Sequence, residues 1–508
     1  MKRREFLSTS SSMLLPVTMS GFDFKFLPKR SSLVQSALKT NLLENDKVLV
    51  LIYLNGGNDG LNTVIPIEYY SQYYNLRSNI AIPENKVLKL DANPQTGLHP
   101  SMSGMQEMYN KGELAIIHSV SYPNPNQSHY RSTDIWMTGV DSDEYSESGW
   151  AGRYLDGAYP GYPANYPNEE MEDPLAIQIG YINTTTLLGK EQPMNVSLQN
   201  PNSFYQLLGS VDAISAEDLP CCDGGELIKY FRQQQVLSSG YSQEIKRAGD
   251  AGTNMTTYPS GVGVNDLGEQ LKIVARLIHG GLRSKIYCVE LRGFDTHASQ
   301  VSTTSTTEGE HASLLKQLSE AITAFQKDLR LQGTIGKVIG LTFSDFGRRA
   351  NSSASKGTDH GIAAPMFVFG TGIKRQLVGT NPDLINDMIP LSPQYLNQDI
   401  KMQIDFRRIY SDILRDWFGT PEEKINAVLF KGFPSTSLFS ETVQSTGSGF
   451  WADRSIWSSG RPPGAKDYVQ INSGHIVSLG QNISVRNIKI EGGGELKVLG
   501  DYQIGTTG

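Results

Sequence analysis

Apolar and polar positions fall into three patterns along this chain. Lys47-Val-Leu-Val-Leu-Ile-Tyr-Leu54 is a continuous apolar run closed by Asn55-Gly-Gly-Asn-Asp59-Gly60. Such a run predicts a strand buried on both faces, followed by a glycine-rich turn. Leu114 to Val120, Lys285 to Leu291, Lys337 to Phe343 and Met366 to Phe369 read the same way. A different period appears between them. Met102, Met105 and Met108 recur every three residues, and residues 264–281 look helical. Leu314, Leu315, Leu318, Ile322, Phe325 and Leu329 share one face of a helix over about 311–331, stopped at Gly333. Strands alternating with helices at these lengths predict a mostly parallel sheet covered by helices. Residues 141–260 are rich in Tyr, Pro, Asn and Ser, and read as insertions and caps. From about 447 short runs separated by Gly and Asn predict a small all-β appendage. The expected divisions are 1–35 for a signal and linker, 36–440 for the α/β domain and 447–508 for the β-rich module.

Charge and cysteine content narrow the function classes. Over 508 residues, 45 Lys+Arg against 52 Asp+Glu leave a formal charge of -7. A dedicated nucleic-acid binder needs clustered positive charge, so that class is excluded. Three cysteines are too few for a disulfide framework or a thiolate zinc site. Adjacent Cys221-Cys222 read as free thiols in a loop, and Cys288 as a buried apolar side chain. Lys2-Arg-Arg4, Phe6-Leu7 and the following serines resemble a twin-arginine export signal. A periplasmic, outer-surface or secreted location is therefore expected. No segment reads as transmembrane.

The candidate chemistry is positional. Three expected strands end in an acidic residue in a Gly-containing turn: Asp59, Asp295 and Asp345. In open parallel sheets, ligands sit at the carboxyl ends of strands. His297 follows Asp295 by two residues, and Asp359-His360 precede a strand. Carboxylates and imidazoles gathered at one edge repel unless a cation joins them. Their donor set suits Zn, Mn, Mg or Ca. Ser128, at the start of an expected helix, is placed to face an anion at the positive end of the dipole. Each residue alone also fits a cap or a turn. His311 reads as a residue at a helix start, and His99, His118 and His279 as structural.

Seven segments occur in order: Leu54-Asn-Gly-Gly-Asn-Asp59, Leu98-His-Pro100, Gln127-Ser-His129 through Trp136-Met-Thr-Gly139, Gly149-Trp-Ala-Gly-Arg153, Gly293-Phe-Asp-Thr-His297, Phe343-Ser-Asp-Phe-Gly-Arg348 and Gly357-Thr-Asp-His-Gly361. Together they resemble the family called domain of unknown function 1501, grouped with the alkaline-phosphatase-like, sulfatase-like superfamily. The resemblance implies an α/β/α sandwich and hydrolysis of phosphate or sulfate esters with one or two divalent metals. It implies metal ligands Asp59, Asp295, His297, Asp345 and His360. The nucleophile position falls on His129, with Ser128 one residue before it. Ser128 is the expected nucleophile, with a metal-bound water as the alternative, and Arg348 (or Arg131 or Arg349) is expected to hold the oxyanion. The histidine that should follow the late-strand aspartate is Phe346 here. The implied substrate is a small anionic ester or a sulfated or phosphorylated glycan. A surface carbohydrate or protein is the expected partner of the C-terminal module. The competing expectation is a non-catalytic cell-surface binding or assembly protein that keeps the fold.

Overall fold

The computed structural model describes residues 17–19, 22–24, 46–169, 171–180, 184–198, 240–259, 264–374, 376–392, 395–439, 442–464, 467–485 and 487–506. The basic head of the expected export signal and the Cys221-Cys222 pair lie outside them. Contacts divide the chain into Met1–Lys47 and Val48–Gly508. In the first, Val17–Met19 pairs antiparallel with Phe22–Phe24.

The second unit is built on one mixed sheet. Its strands are β1 (Val48–Asn55), β2 (Leu114–Ser121), β3 (Ala176–Ile179), β4 (Asn195–Leu198), β5 (Ile286–Arg292), β6 (Val338–Ser344), β7 (Ala364–Phe369), β8 (Leu377–Val378) and β9 (Ile404–Asp405). They lie in the order β8-β2-β7-β6-β1-β5-β3-β4, with β9 also paired to β2. All pairs are parallel except those made by β7, which runs antiparallel to both β6 and β2. The unbroken apolar runs follow from position: β1 lies between β6 and β5, and β2 is buried along its whole length.

Among the helices are α1 (Ser103–Asn110), α2 (His129–Thr138), α3 (Trp150–Ala158), α4 (Asp266–His279), α5 (Glu310–Leu331), α6 (Phe406–Asp412) and α7 (Glu422–Leu429), and a further helix, Tyr70–Arg77, precedes them. The expected stripe of α5 is buried, and α5 packs on α4 and α1. The Met105 and Met108 face of α1 joins the same core. A second group is tied by aromatic stacking: Trp136 of α2 on Phe406, and Trp150 of α3 on Tyr410, each with ring centroids 4.3 Å apart.

The reading of 141–260 as caps is corrected in part. Ala176–Ile179 and Asn195–Leu198 extend the main sheet, and Ile177, Val196 and Leu198 sit in its core. These four-residue strands are too short to stand out from polar surroundings by periodicity.

The C-terminal β structure is a coil of parallel ladders. β10 (Thr442–Gln444), β12 (Tyr468–Ile471) and β15 (Asn487–Ile490) stack in one. β11 (Gly449–Phe450), β13 (Ile476–Leu479) and β16 (Glu495–Val498) form the next, and β14 (Ile483–Val485) pairs β17 (Ile504–Thr506). Tyr468 opposes Asn487 and Ile476 opposes Glu495, a step of 19 residues in both ladders, whereas the preceding steps, Thr442 to Tyr468 and Gly449 to Val477, are longer. Trp451, Trp457, Val469, Ile471, Val477 and Leu479 fill the inside.

Candidate metal centre

Four loops meet at the carboxyl edge of the sheet. β1 leads into Asn55-Gly-Gly-Asn58, β5 into Gly293-Phe-Asp295-Thr-His297, and β6 into Asp345-Phe-Gly-Arg348. The fourth brings Asp359-His360 to the start of β7. Because β7 is antiparallel, its beginning lies where its neighbours end. A motif that precedes its strand therefore joins motifs that follow theirs. The first two turns touch closely. Gly56 has φ +121°, and a Cβ there would stand 2.4 Å from the Asp295 backbone nitrogen. Only glycine fits both demands.

Asp295 is the centre of the cluster. The Nε2 atoms of His129, His297 and His360 lie 3.4, 3.1 and 3.4 Å from its Oδ1. His297 Nε2 and His360 Nε2 are 2.9 Å apart. His129, Asp295 and His360 offer ligand atoms within 4.8 Å of one another. The far side of each ring is also occupied. His129 Nδ1 donates to Asp345 Oδ2 at 2.6 Å, because a carboxylate can only accept. His360 Nδ1 donates to the Gln127 carbonyl at 2.8 Å. His297 Nδ1 faces Asp359 Oδ1 at 3.5 Å. In the neutral His129 and His360 rings, this leaves the Nε2 lone pairs pointing inward. His129 Nε2 is buried and makes no hydrogen bond.

Asp345 is fully buried. Its Oδ1 accepts from Tyr53 Oη at 2.9 Å and from the Gly56 amide at 3.1 Å, so each oxygen has a partner. The hydrogen bond to Asp345, with the charges of Asp345 and Asp295, raises the pKa of His129 against the effect of burial. Burial, helped by the Arg348 and His129 charges, lowers that of His360. Burial opposes ionisation of Asp295, but Arg348 and the neighbouring imidazoles hold its pKa below the usual carboxylate range.

The expected site residues separate on this geometry. Asp295, His297 and His360 converge, and His129, expected in catalysis, completes their ring. Asp345 stands behind His129 and orients it. Asp59 is elsewhere, fully buried, with Arg77 Nη1 2.7 Å from both of its oxygens and Gln300 Nε2 at 2.6 Å. Ser128 is the exposed N-cap of α2, and its hydroxyl makes no capping bond. Arg348 is buried, and its guanidinium donates to the carbonyls of Gly56, Gly57, Phe294 and Thr358 and to Asp295 Oδ1 at 2.6 Å. It stitches the loops together. Arg131 pairs with Asp134, and Arg349 donates to the His360 carbonyl. His311 is buried against Asn58 Oδ1 at 3.1 Å, outside the ring. Sequence patterning did not mark Tyr53 or Gln127. Their roles come from a hydroxyl and a backbone carbonyl, which no spacing rule exposes.

The ligand atoms of His129, Asp295 and His360, with His297 beside Asp295 and His360, suit a divalent cation of the zinc or manganese kind, with outer oxygens on the imidazole nitrogens. Phe346, where a second imidazole would extend the site, instead packs on His129 and His360 with ring centroids 4.7 and 4.4 Å away.

Residues 233–429 match a family described as "Protein of unknown function (DUF1501)". No curated protein matches. Several solved structures are similar to this chain at low identity. The zinc complex of the C-terminal periplasmic domain of EcEptC from Escherichia coli is 8% identical, over 64% of this chain and 73% of that one, with a TM-score of 0.29. A protein in the alkaline phosphatase superfamily from Vibrio parahaemolyticus is 10% identical, over 66% and 62%, with a TM-score of 0.30. The PsFucS1 sulfatase from Pseudoalteromonas sp. is 11% identical, over 71% and 70%, with a TM-score of 0.29. No residue role is taken from them.

Proposed function

We propose that this chain is an exported hydrolase of phosphate or sulfate esters that works with a single divalent metal held by His129, Asp295, His297 and His360. One observation carries the reading: three imidazoles present Nε2 to one carboxylate oxygen while each Nδ1 faces an oxygen behind it. Ion pairing alone does not require three rings around one acceptor.

A divalent cation bound there would polarise an ester oxygen and acidify water. The chain's own residues prepare that chemistry. Asp345 holds the proton on His129 Nδ1, and the Gln127 carbonyl does the same for His360. Tyr53 and the Gly56 amide keep Asp345 fixed. Arg348 locks the three turns at their carbonyls and neutralises part of the Asp295 charge. Ser128 is exposed and makes no capping bond, and no contact ties it to the cluster, so a water is preferred to Ser128 as the nucleophile. Arg3-Arg4 with Phe6-Leu7 support export, which a reporter fused to residues 1–35 tests with Lys-Lys in place of the arginine pair.

A second reading has its own support. Arg348 donates to Asp295 Oδ1, the atom a metal would share. A guanidinium standing in for the cation would suit a non-catalytic surface protein. The experiment is to load the purified chain with Zn or Mn and assay p-nitrophenyl phosphate and sulfate with and without chelator. Chelator-sensitive turnover lost in His297→Ala supports the hydrolase. Absence of turnover on both esters in a metal-loaded chain supports the second reading.

A further inference from the structure

The parallel coil has an open end. β15, β16 and β17 pair on one side only, with β12, β13 and β14, and among the described residues no strand pairs with their other edge. The register shows what this exposes. Ile490 lies opposite Ile471, Val498 opposite Leu479, and Ile504 opposite Ile483. On the inner rung those three positions are buried in the coil's core. On the outer rung the same positions are 46%, 44% and 39% exposed. Ile488 and Leu496, opposite Val469 and Val477, are only partly buried. The column of apolar side chains that fills the coil therefore runs out into water. Leu499 and Tyr502 beside it are exposed as well. Repeat architectures need a polar cap at such an end. Unpaired edge amides beside apolar side chains are a template for another chain.

The charges on that edge specify which chain. Leu496 and Val498 belong to the core column, so Glu495 and Lys497 point outward from β16. Both are exposed, and their mutual contact is loose, with Nζ 3.6 Å from Oε2. Strands related by a two-fold axis across this edge run antiparallel. With the axis at Leu496, that residue faces its own copy and Glu495 opposes Lys497 twice. Moving the axis one residue either way sets Lys497 against Lys497 or Glu495 against Glu495, which is unfavourable. The same rotation exchanges the other two faces of the coil. β15 then meets the copy's β17, whose sequence Ile504-Gly505-Thr506 brings no charge against Lys489. The edge is thus self-complementary in one register, as a two-fold interface requires.

We propose that the open end of the coil is a homodimer interface. A second copy of this chain stacks on it head to head, about a two-fold axis at Leu496, and the two apolar columns become one continuous core. The proposal is independent of the metal centre.

The test is sedimentation velocity of the full chain from low to high micromolar concentration. A dimer is expected. Lys497→Glu turns both charge contacts repulsive and weakens the dimer roughly tenfold. Combining Glu495→Lys with Lys497→Glu reverses the pattern on both copies and restores the dimer to within about threefold. Val498→Lys places an ammonium in the joint and leaves the chain monomeric. These positions are exposed in the single chain, and thermal melting of each variant checks that the fold is kept. A chain that stays monomeric at every concentration overturns the proposal. So does a dimer indifferent to Lys497→Glu and Val498→Lys, or one that the paired reversal fails to restore. Assemblies larger than two also overturn it, because a two-fold stack closes on itself.

Discussion

Asp345→Asn tests the preparation of the centre most sharply, because it changes charge and hydrogen bonding without changing shape. The native carboxylate accepts from three donors: Tyr53 Oη at 2.9 Å, the Gly56 amide at 3.1 Å and His129 Nδ1 at 2.6 Å. An asparagine oxygen can keep the first two. Its amide then faces His129 Nδ1 as a donor, and the ring must place its proton on Nε2. A protonated Nε2 cannot ligate, so metal binding must first reverse that tautomer. Outer-carboxylate changes of this kind cost about 10–100-fold in metal affinity. That range corresponds to about 1.4–2.8 kcal/mol. The fold should lose little, since Tyr53 and Gly56 keep an acceptor. The assay is competition titration of zinc against a chromophoric chelator, with thermal melting of the metal-free chain alongside. An unchanged zinc affinity in a well-folded Asp345→Asn chain would refute the claim that Asp345 sets the His129 tautomer.

Other consequences follow from buried groups away from the centre. Arg77→Met strands the Asp59 carboxylate, and breaking such a buried pair costs about 3–5 kcal/mol; urea melts should show this loss while zinc affinity stays near that of the native chain. Burial lowers the pKa of His118 to about 4, that of His311 to about 4 and that of His99 to about 3, so all three rings are neutral in the fold. In the unfolded chain they return to the ordinary 6.5 and bind protons first as pH falls. Stability from these rings is therefore complete above pH 6.5 and declines down to pH 4, by about 3 kcal/mol for His118 alone. Urea midpoints at pH 7 and 4.5 check this, and His118→Leu should flatten the dependence; an equal slope in that variant counts against it. Trp451→Ala empties the inside of the parallel coil at a cost of about 3–5 kcal/mol. Hydrogen exchange should then accelerate in β12 and β13 before it does in β1.

Much of the sheet was legible because its strands are buried on both faces. Val48–Asn55, Ile286–Arg292 and Val338–Ser344 announce themselves as apolar runs, and of the acids after the last two Asp295 lies in the cluster and Asp345 behind His129. Strand direction was not legible. Nothing in Ala364–Phe369 says that it runs against its neighbours, and only that reversal explains why His360 belongs with Asp295. Asp59 misled for a physical reason. Its turn resembles the others, but Arg77, on a helix 18 residues later, captures both oxygens. His129 stood at the nucleophile position by spacing, whereas its hydrogen bond to Asp345 turns its Nε2 toward Asp295. The short strands 176–179 and 195–198 were hidden in polar sequence because four residues carry too little periodicity.

The central claim is a metal centre made by three imidazoles and Asp295. It is tested most directly by element-resolved metal content after loading with Zn and with Mn and exhaustive desalting, in the native chain and in His297→Ala and His360→Ala. The account predicts one metal per native chain and a large loss in both variants, with the fold retained by circular dichroism. A native chain that retains no metal, or variants that retain as much as it does, would contradict it and favour the Arg348-neutralised site.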